Sequence, residues 1–244
     1  MSTSTIHRLF VALLFSASCL VHAQSTAHSA IKAAPRTDRG WQDRAKLLDD
    51  RVKENPDTEL LFIGDSITQG WEGQGAKEVW AQFYAKRKAV NLGIGGDRTQ
   101  HVLWRLENAP LEGVKPKAAV IMIGTNNSNG EDNTPGQIAE GVAAIVKKLR
   151  ERLPNTKILL LGIFPRGENF NAQRGKLTQI NQVLMKLDDG KNVHYLDIGH
   201  QFLTNDGILL AEIMPDYLHL SAKGYQIWAD AIEPKLVDLL GEKK

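Results

Sequence analysis

The sequence predicts an α/β fold in which a parallel β-sheet is covered by helices on both faces. Five apolar runs have the length and near-continuous hydrophobicity of strands buried on both sides, at residues 60–63, 89–92, 118–123, 158–163 and 193–198. Amphipathic stretches with apolar residues three and four positions apart separate them, at 75–88, 99–108, 134–152 and 170–187. Ser221 is placed to cap a last helix that runs to about residue 240. This alternation of strand and helix is typical of a parallel sheet with helical crossovers.

The composition is that of a globular protein with one core. The chain has 244 residues, of which 42% are hydrophobic and 24% charged. Its 30 basic and 28 acidic residues nearly balance, and no long block of Lys and Arg is present to follow a phosphate backbone. We therefore expect a single domain and no nucleic-acid partner.

Residues 1–23 are predicted to be a signal peptide. Arg8 precedes an apolar run at 9–21 that is too short to span a bilayer, and small residues around Ala23 suit cleavage there. A buried or amphipathic N-terminal helix is the disfavoured alternative, because the run has no polar face. Lipid attachment at Cys19 is also disfavoured, since no leucine stands at the position where bacterial lipoproteins carry one. We expect export to the periplasm or the medium.

Residues 24–40 are interpreted as a flexible linker, and residues 41–244 as the domain. The linker is rich in Ser, Thr and Ala and has no hydrophobic period. Cys19 is the one cysteine, so the cleaved chain would hold no disulfide, no thiolate metal site and no cysteine nucleophile. No cofactor and no metal are expected.

Polar and glycine-rich segments follow the first three predicted strands, at the sheet edge where ligands bind in such folds. The first, Gly-Asp-Ser-Ile-Thr at 64–68, places the hydroxyl of Ser66 at the start of a helical turn. The second, at 91–97, has three glycines that allow close backbone approach, and it lacks the spacing of a dinucleotide or phosphate loop. The third, at 124–127, supplies Asn126, whose amide can donate to an oxyanion. Taken singly, these segments fit a capping serine and tight turns equally well.

Asp216 and His219 lie in a predicted loop before the last helix. Their spacing lets one turn aim the carboxylate at the imidazole, which fixes the tautomer and leaves the other ring nitrogen for a hydroxyl. An Asp and a His at this spacing are common in proteins without any catalytic role, so the pair indicates catalysis only together with Ser66.

In these segments the sequence resembles the SGNH (GDSL-like) hydrolases, and among them the catalytic subunits of the intracellular platelet-activating-factor acetylhydrolases. The matching blocks are residues 62–66, 91–97 followed by 99–106, 124–127 and 216–220, with 165–167 as a further match. Two features depart from the pattern. Ile67 stands in place of the leucine that follows the nucleophile, and the signal peptide separates this chain from intracellular enzymes.

The resemblance implies a three-layer flavodoxin-like fold with five parallel strands in the order 2-1-3-4-5. It implies a catalytic triad of Ser66, His219 and Asp216. The implied oxyanion hole consists of the Ser66 amide, the Gly96 amide and the Asn126 side chain, with no metal.

The predicted activity is hydrolysis of short acyl esters through an acyl-enzyme, with O-acetyl carbohydrate as the first candidate substrate. A lysophospholipase or thioesterase acting on lipids is the alternative. A metal-dependent phosphoesterase and a non-catalytic binding domain are weaker interpretations. Trp71 either lines the substrate site or packs in the core, and packing in the core is favoured. Monomer and homodimer both remain open.

Overall fold

The computed structural model describes residues 27–242, so the predicted signal peptide lies outside the described residues. A single five-stranded sheet forms its centre, with every pairing parallel and the strand order β2-β1-β3-β4-β5. The strands are β1 (Leu60–Gly64), β2 (Ala89–Gly93), β3 (Ala118–Met122), β4 (Lys157–Leu161) and β5 (Val193–Leu196). The predicted fold class and strand order are confirmed.

Seven α-helices connect and cover the strands in the described part of the chain. They are α1 (Arg39–Glu54), α2 (Ser66–Gln69), α3 (Ala76–Phe83), α4 (Thr99–Asn108), α5 (Pro135–Arg152), α6 (Ala172–Leu184) and α7 (Ala222–Leu240). Ser221 caps α7 by accepting a hydrogen bond from the Gly224 amide, as its position in the sequence predicts. Within residues 27–242, no helix combines the length and the apolarity that crossing a membrane requires.

Each strand contributes alternate residues to two separate cores, because successive side chains point to opposite faces of the sheet. Leu61 and Ile63 pack with α1, α4, α5 and α6 on one face. Leu60 and Phe62 pack with α3 and α7 on the other. Trp71 belongs to this second core, where it is buried against Phe62, so its packing interpretation is confirmed.

The predicted flexible linker is wrong from residue 28 onward. Ser29–Ile31 form a 3-10 helix, and Ala30 is fully buried. The carbonyl of Ala30 accepts a hydrogen bond from the Thr99 hydroxyl, and the Ala34 amide donates to the Gln100 carbonyl. Because these contacts are made with distant α4, the segment's own sequence shows no period that would reveal them.

Helix α1 begins where the linker was expected to end. Asp38 caps it by accepting a hydrogen bond from the Trp41 amide. Trp41, Leu48 and Val52 form its buried face, and the remaining positions are mostly charged. The parallel register places Gly64 beside both Gly93 and Met122, so the segments that follow β1, β2 and β3 emerge together at one edge.

Candidate active site

Ser66 stands at the sharp turn between β1 and α2. It is the first residue of a helix of only four residues, and its side chain is partly exposed. Asp65 precedes it, fully buried, and accepts a hydrogen bond from the Ile67 amide at 3.0 Å. The turn therefore holds Ser66 at the carboxyl edge of the central strands of the sheet.

Ser66, His219 and Asp216 form a continuous hydrogen-bonded chain. The Ser66 Oγ lies 2.9 Å from His219 Nε2, and His219 Nδ1 lies 2.6 Å from Asp216 Oδ2. With its proton on Nδ1, the imidazole donates to the carboxylate and its Nε2 accepts from the hydroxyl. The structure thus brings together all three residues that the sequence proposes as a triad, across 153 positions of the chain.

The loop that carries His219 is held by the carboxylate of Asp216 itself. Asp216 Oδ1 accepts from the amides of Leu218 at 3.1 Å and His219 at 2.7 Å. Tyr217 adopts φ of 58°, a left-handed conformation that turns the chain sharply between the two triad residues. The Gly167 amide, after β4, donates to the Tyr217 carbonyl at 2.8 Å and ties the loop to the sheet edge.

The ionisation of Asp216 suits an orienting carboxylate. Burial would raise its pKa, but hydrogen bonds from the His219 ring and from the His219 and Leu218 amides outweigh that effect and lower the pKa. Asp216 is therefore a carboxylate at neutral pH, able to hold the imidazole and stabilise its protonated form.

The glycine-rich loop after β2 lies against the turn of Ser66. A Cβ at Gly93 would meet the Gln69 amide nitrogen at 2.3 Å, so only glycine permits this approach. The Gly95 amide donates to Gln69 Oε1 at 2.7 Å. Gly96 has φ of 77°, and within the described residues neither its amide nor that of Ser66 donates a hydrogen bond.

Asn126 and Asn127 have different environments although they are adjacent. Asn126 Nδ2 donates to the Asp97 carbonyl at 2.9 Å, which fixes the amide beside the glycine loop and leaves its second hydrogen available. Asn127 is fully buried, and its side chain bonds to Thr99, Gln100 and Asn133. Asn126 thus lies beside the glycine-rich loop with one amide hydrogen unused, whereas Asn127 holds its own loop in place.

Two buried carboxyl groups, those of Asp65 and Asp97, lie in the segments that carry the site. Burial raises the pKa of Asp65 to about 7, which the hydrogen bond from the Ile67 amide only partly offsets. Asp97 accepts from Trp41 Nε1 at 2.6 Å and from Arg105 Nε at 3.0 Å. Burial nevertheless raises the pKa of Asp97, because these partners do not fully replace its hydration.

Two arginines beside the site were not assigned roles from the sequence. Arg166 belongs to the 165–167 match after β4, and it donates to Thr125 Oγ1 at 3.3 Å and to Asn129 Oδ1 at 3.0 Å. Arg36, from the supposed linker, donates to the Gly95 carbonyl at 2.7 Å. No sequence signal identifies Arg36, since its partner lies 59 positions away.

This geometry has the components of nucleophilic acyl transfer. A hydroxyl lies on an imidazole that a carboxylate orients, and two unengaged amides and one side-chain amide lie nearby. Among residues 27–242, no group of three His, Cys, Asp or Glu side chains is arranged to hold a metal ion.

Comparison with known proteins identifies the family. The sequence model of the GDSL-like lipase/acylhydrolase family matches residues 62–227, which include Ser66, Gly96, Asn126, Asp216 and His219. The chain belongs to this family. The resemblance inferred from the motifs is therefore confirmed, and this GDSL-like protein is a carboxylic ester hydrolase.

Similar proteins include a mammalian enzyme and two bacterial structures. The rat platelet-activating factor acetylhydrolase IB subunit alpha2 is 39% identical over 206 residues, which cover 84% of this chain and 86% of the relative. A GDSL-like lipase from Bacteroides thetaiotaomicron is 17% identical with a TM-score of 0.64, covering 80% of this chain and 98% of its own. A catalytic mutant of an acetylxylan esterase from Geobacillus stearothermophilus is 20% identical with a TM-score of 0.58, covering 77% and 95%. The two structures support the fold.

Proposed function

We propose that this GDSL-like protein is a serine esterase with Ser66 as nucleophile, His219 as general base and Asp216 as the group that orients it. The observation that carries the proposal is the unbroken chain of hydrogen bonds from the Ser66 hydroxyl through the His219 ring to the Asp216 carboxylate. A merely capping serine would have no need of an oriented imidazole.

In the first half of the reaction, Ser66 Oγ attacks the ester carbonyl carbon while its proton passes to His219 Nε2. The tetrahedral intermediate then collapses, the bond to the alcohol oxygen breaks, and the alcohol takes the proton from His219. In the second half, His219 removes a proton from water, whose oxygen attacks the acyl-enzyme. Collapse releases the acid and returns the proton to Ser66.

The negative oxygen of each tetrahedral intermediate needs donors that are already in place. We assign this role to the Ser66 amide, the Gly96 amide and Asn126 Nδ2. The first two make no hydrogen bond within the described residues, and the third keeps one hydrogen free. Asn126 is oriented for this by its bond to the Asp97 carbonyl.

We further propose that the acyl group is short, with acetyl esters of carbohydrates as the first candidate. The names of the similar proteins support acetyl, since one is an acetylhydrolase and one an acetylxylan esterase. Large hydrophobic side chains that are exposed in the described chain lie at scattered positions outside the triad segments, namely Leu47, Phe170, Val183, Met185 and Leu210. A long acyl chain would favour a continuous apolar surface at Ser66.

A lipid ester is the second candidate. It is favoured by the identity of 39% to a platelet-activating factor acetylhydrolase subunit, whose name refers to a lipid substrate. The alcohol part of the substrate distinguishes the two candidates, since both carry an acetyl group.

The test compares the wild type with Ser66→Ala on acetylated xylan and on p-nitrophenyl acetate, butyrate and octanoate. We expect acetate release from xylan, steep loss of activity beyond acetyl, and a fall of roughly 10³- to 10⁶-fold in Ser66→Ala. Serine-dependent turnover of p-nitrophenyl acetate without acetate release from xylan would favour the lipid candidate, and a preference for octanoate would contradict the short acyl group. Full activity in Ser66→Ala would contradict the nucleophile assignment.

Labelling with a fluorophosphonate gives an independent check, because only an activated serine reacts. We expect wild type and the matched control Ser128→Ala to be labelled and Ser66→Ala to remain unlabelled. Ser128 is a suitable control, since its hydroxyl donates to the Thr125 carbonyl and is not bonded to a histidine.

We also propose that residues 1–23 direct export of this enzyme, as their composition predicts. Fractionation of cells that express the full chain or a form without residues 2–23 tests this. Retention of the full chain in the cytoplasm would contradict export.

A further inference from the structure

Residues 28–38, here called the N-terminal strap, precede α1 and pack against the N-terminal halves of α4 and α5. The strap is attached at several points along its length. His28 Nε2 lies 2.7 Å from Glu140 Oε2, the Ser29 hydroxyl accepts from Asn133 Nδ2 at 2.9 Å, and Ala30 is fully buried. These contacts fix the backbone on which Arg36 is mounted.

Arg36 reaches from the strap to the glycine-rich loop beside Ser66. Its Nη1 donates to the Gly95 carbonyl at 2.7 Å, and its Nε donates to Asp38 Oδ2 at 2.9 Å. A Cβ placed on Gly96 would lie 2.8 Å from the same Nη1, so the guanidinium rests directly on this glycine. Asp38 is itself fixed as the cap of α1. The guanidinium is therefore held from both sides.

The atom that Arg36 holds belongs to the same peptide unit as the Gly96 amide. A peptide bond is planar and trans, so the Gly95 C=O and the Gly96 N–H point in opposite directions within one rigid plane. A bond that fixes the carbonyl also fixes the direction of the N–H. A positively charged donor bonded to the carbonyl oxygen draws electron density from the amide nitrogen and makes its N–H a stronger donor.

The neighbouring peptide is fixed by a different residue. Gln69 Oε1 accepts from the Gly95 amide at 2.7 Å, which places the start of the loop against α2. Gly96 has a left-handed conformation that glycine adopts without strain, so its flanking peptides can rotate more easily than those of other residues. The peptide between Gly95 and Gly96 therefore needs a restraint of its own, and Arg36 provides it.

We infer that Arg36 is a positioning residue of the oxyanion hole, acting through the Gly95–Gly96 peptide. The inference rests on the proposed function, in which the Gly96 amide binds the oxyanion. Arg36 itself contacts no substrate in this scheme. It aims and polarises a donor that stabilises the transition state more than the bound ester, so its loss lowers kcat rather than raising KM.

The test compares Arg36→Met, Arg36→Lys and the control Arg39→Ala on p-nitrophenyl acetate. Removal of a whole oxyanion donor costs roughly 10²- to 10³-fold, so loss of its alignment in Arg36→Met is expected to lower kcat by about 10- to 100-fold. KM is expected to stay within about threefold. Arg36→Lys keeps a cationic donor and is expected to recover most of the loss.

Arg39→Ala is the matched control. Its guanidinium is almost fully exposed and lies 3.5 Å from Asp43 on the surface of α1, away from the loop. We expect its kinetics to match the wild type. If Arg36→Met does not fold by circular dichroism, Arg36→Gln takes its place with the same expectations, since it also removes the charge.

Inactivation by a fluorophosphonate supplies a readout that loss of stability alone would not move. The phosphoryl oxygen occupies the oxyanion position, so the inactivation rate of folded Arg36→Met should fall in parallel with kcat/KM. A kcat within about twofold of wild type, or an equal loss in the Lys and Met variants, would overturn the inference. Absence of Ser66-dependent turnover in the wild type would instead refute the proposed function.

Discussion

The two halves of the candidate active site are built in opposite ways. The half around Ser66 and the glycine-rich loop rests on fully buried groups, with Asp65 and Asp97 both at 0% exposure. In the half that carries the acid–base pair, the side chains of His219 and Asp216 are 45% and 56% exposed. The first half depends on the sheet and the helices around it, whereas the second is organised mainly by one carboxylate within its own loop.

Because of this difference in burial, substitutions in the buried half should affect mainly stability, and substitutions in the exposed half mainly catalysis. Removing a group from the buried half leaves its hydrogen-bond partners unsatisfied, because neither water nor another protein group takes its place. The free energy of unfolding should therefore fall. Removing a group from the exposed half leaves partners that water can solvate, so the fold should persist while the chemistry is lost. Three substitutions test the contrast, each in one half.

Asp216→Asn should have the largest effect, and it should be confined to catalysis. The introduced asparagine would keep an oxygen for the Leu218 and His219 amides, but its NH2 would face the ring and favour the wrong tautomer. We expect kcat to fall by about 10⁴-fold, the loss known for such a change in the serine protease triad, and the free energy of unfolding to change by less than about 1 kcal/mol.

Kinetics on p-nitrophenyl acetate and urea unfolding measure both quantities, with exposed Asp206→Asn as the control. An unfolding change as large as several kcal/mol would show that the exposed loop also supports the fold.

Asp97→Ala should have its main effect on stability. The side chains of Trp41 and Arg105 would both lose their partner, and the Arg105 guanidinium would remain buried without a carboxylate. Because burial raises the pKa of Asp97 despite these partners, the pair contributes little net charge stabilisation. Breaking it is still costly, by about 3–5 kcal/mol, since one charge stays behind.

Urea unfolding of Asp97→Ala and Asp216→Ala in parallel provides the comparison. Equal losses in the two variants would contradict the distinction between the buried and exposed halves.

Asp65→Asn should change the dependence of the free energy of unfolding on pH. The folded-state pKa of Asp65 is raised to about 7 from an ordinary value of 3.8, so the neutral carboxyl favours the folded state. That contribution is fully present below pH 3.8 and is lost as the pH rises toward 7.

The side-chain amide introduced by Asp65→Asn does not titrate, so the variant should lack this slope. Urea unfolding of both proteins at several pH values between about 4 and 8 gives the difference between them, and a difference independent of pH would refute the raised pKa.

Much of the fold could be predicted because its signals are local. The five strands appear as short apolar runs, and helix α4 has the predicted bounds, Thr99–Asn108. Strand ends were predicted less well, since β4 stops at Leu161 and β5 at Leu196, each two residues before its apolar run ends. Apolar residues continue to be buried beyond the last ladder hydrogen bond, as Ile163 and Ile198 show.

The failures have different causes. Helix α1 was not predicted, although the capping Asp38 and the spacing of Trp41, Leu48 and Val52 were signals for it. The N-terminal strap offered no such signal, because its hydrogen bonds are made with partners far along the chain. Asn127 was grouped with Asn126, and only its buried bonds distinguish it.

The sequence by itself determined the fold class and the residues that could perform the chemistry, because hydrophobic periodicity and the types of residue at strand ends are local properties. Tertiary structure decided which of them meet. It placed Ser66 at 2.9 Å from His219, buried Asp97 against Arg105, and brought Arg36 to the Gly95 carbonyl. Those contacts depend on how helices and loops pack around the sheet, and packing joins residues whose separation along the chain carries no pattern.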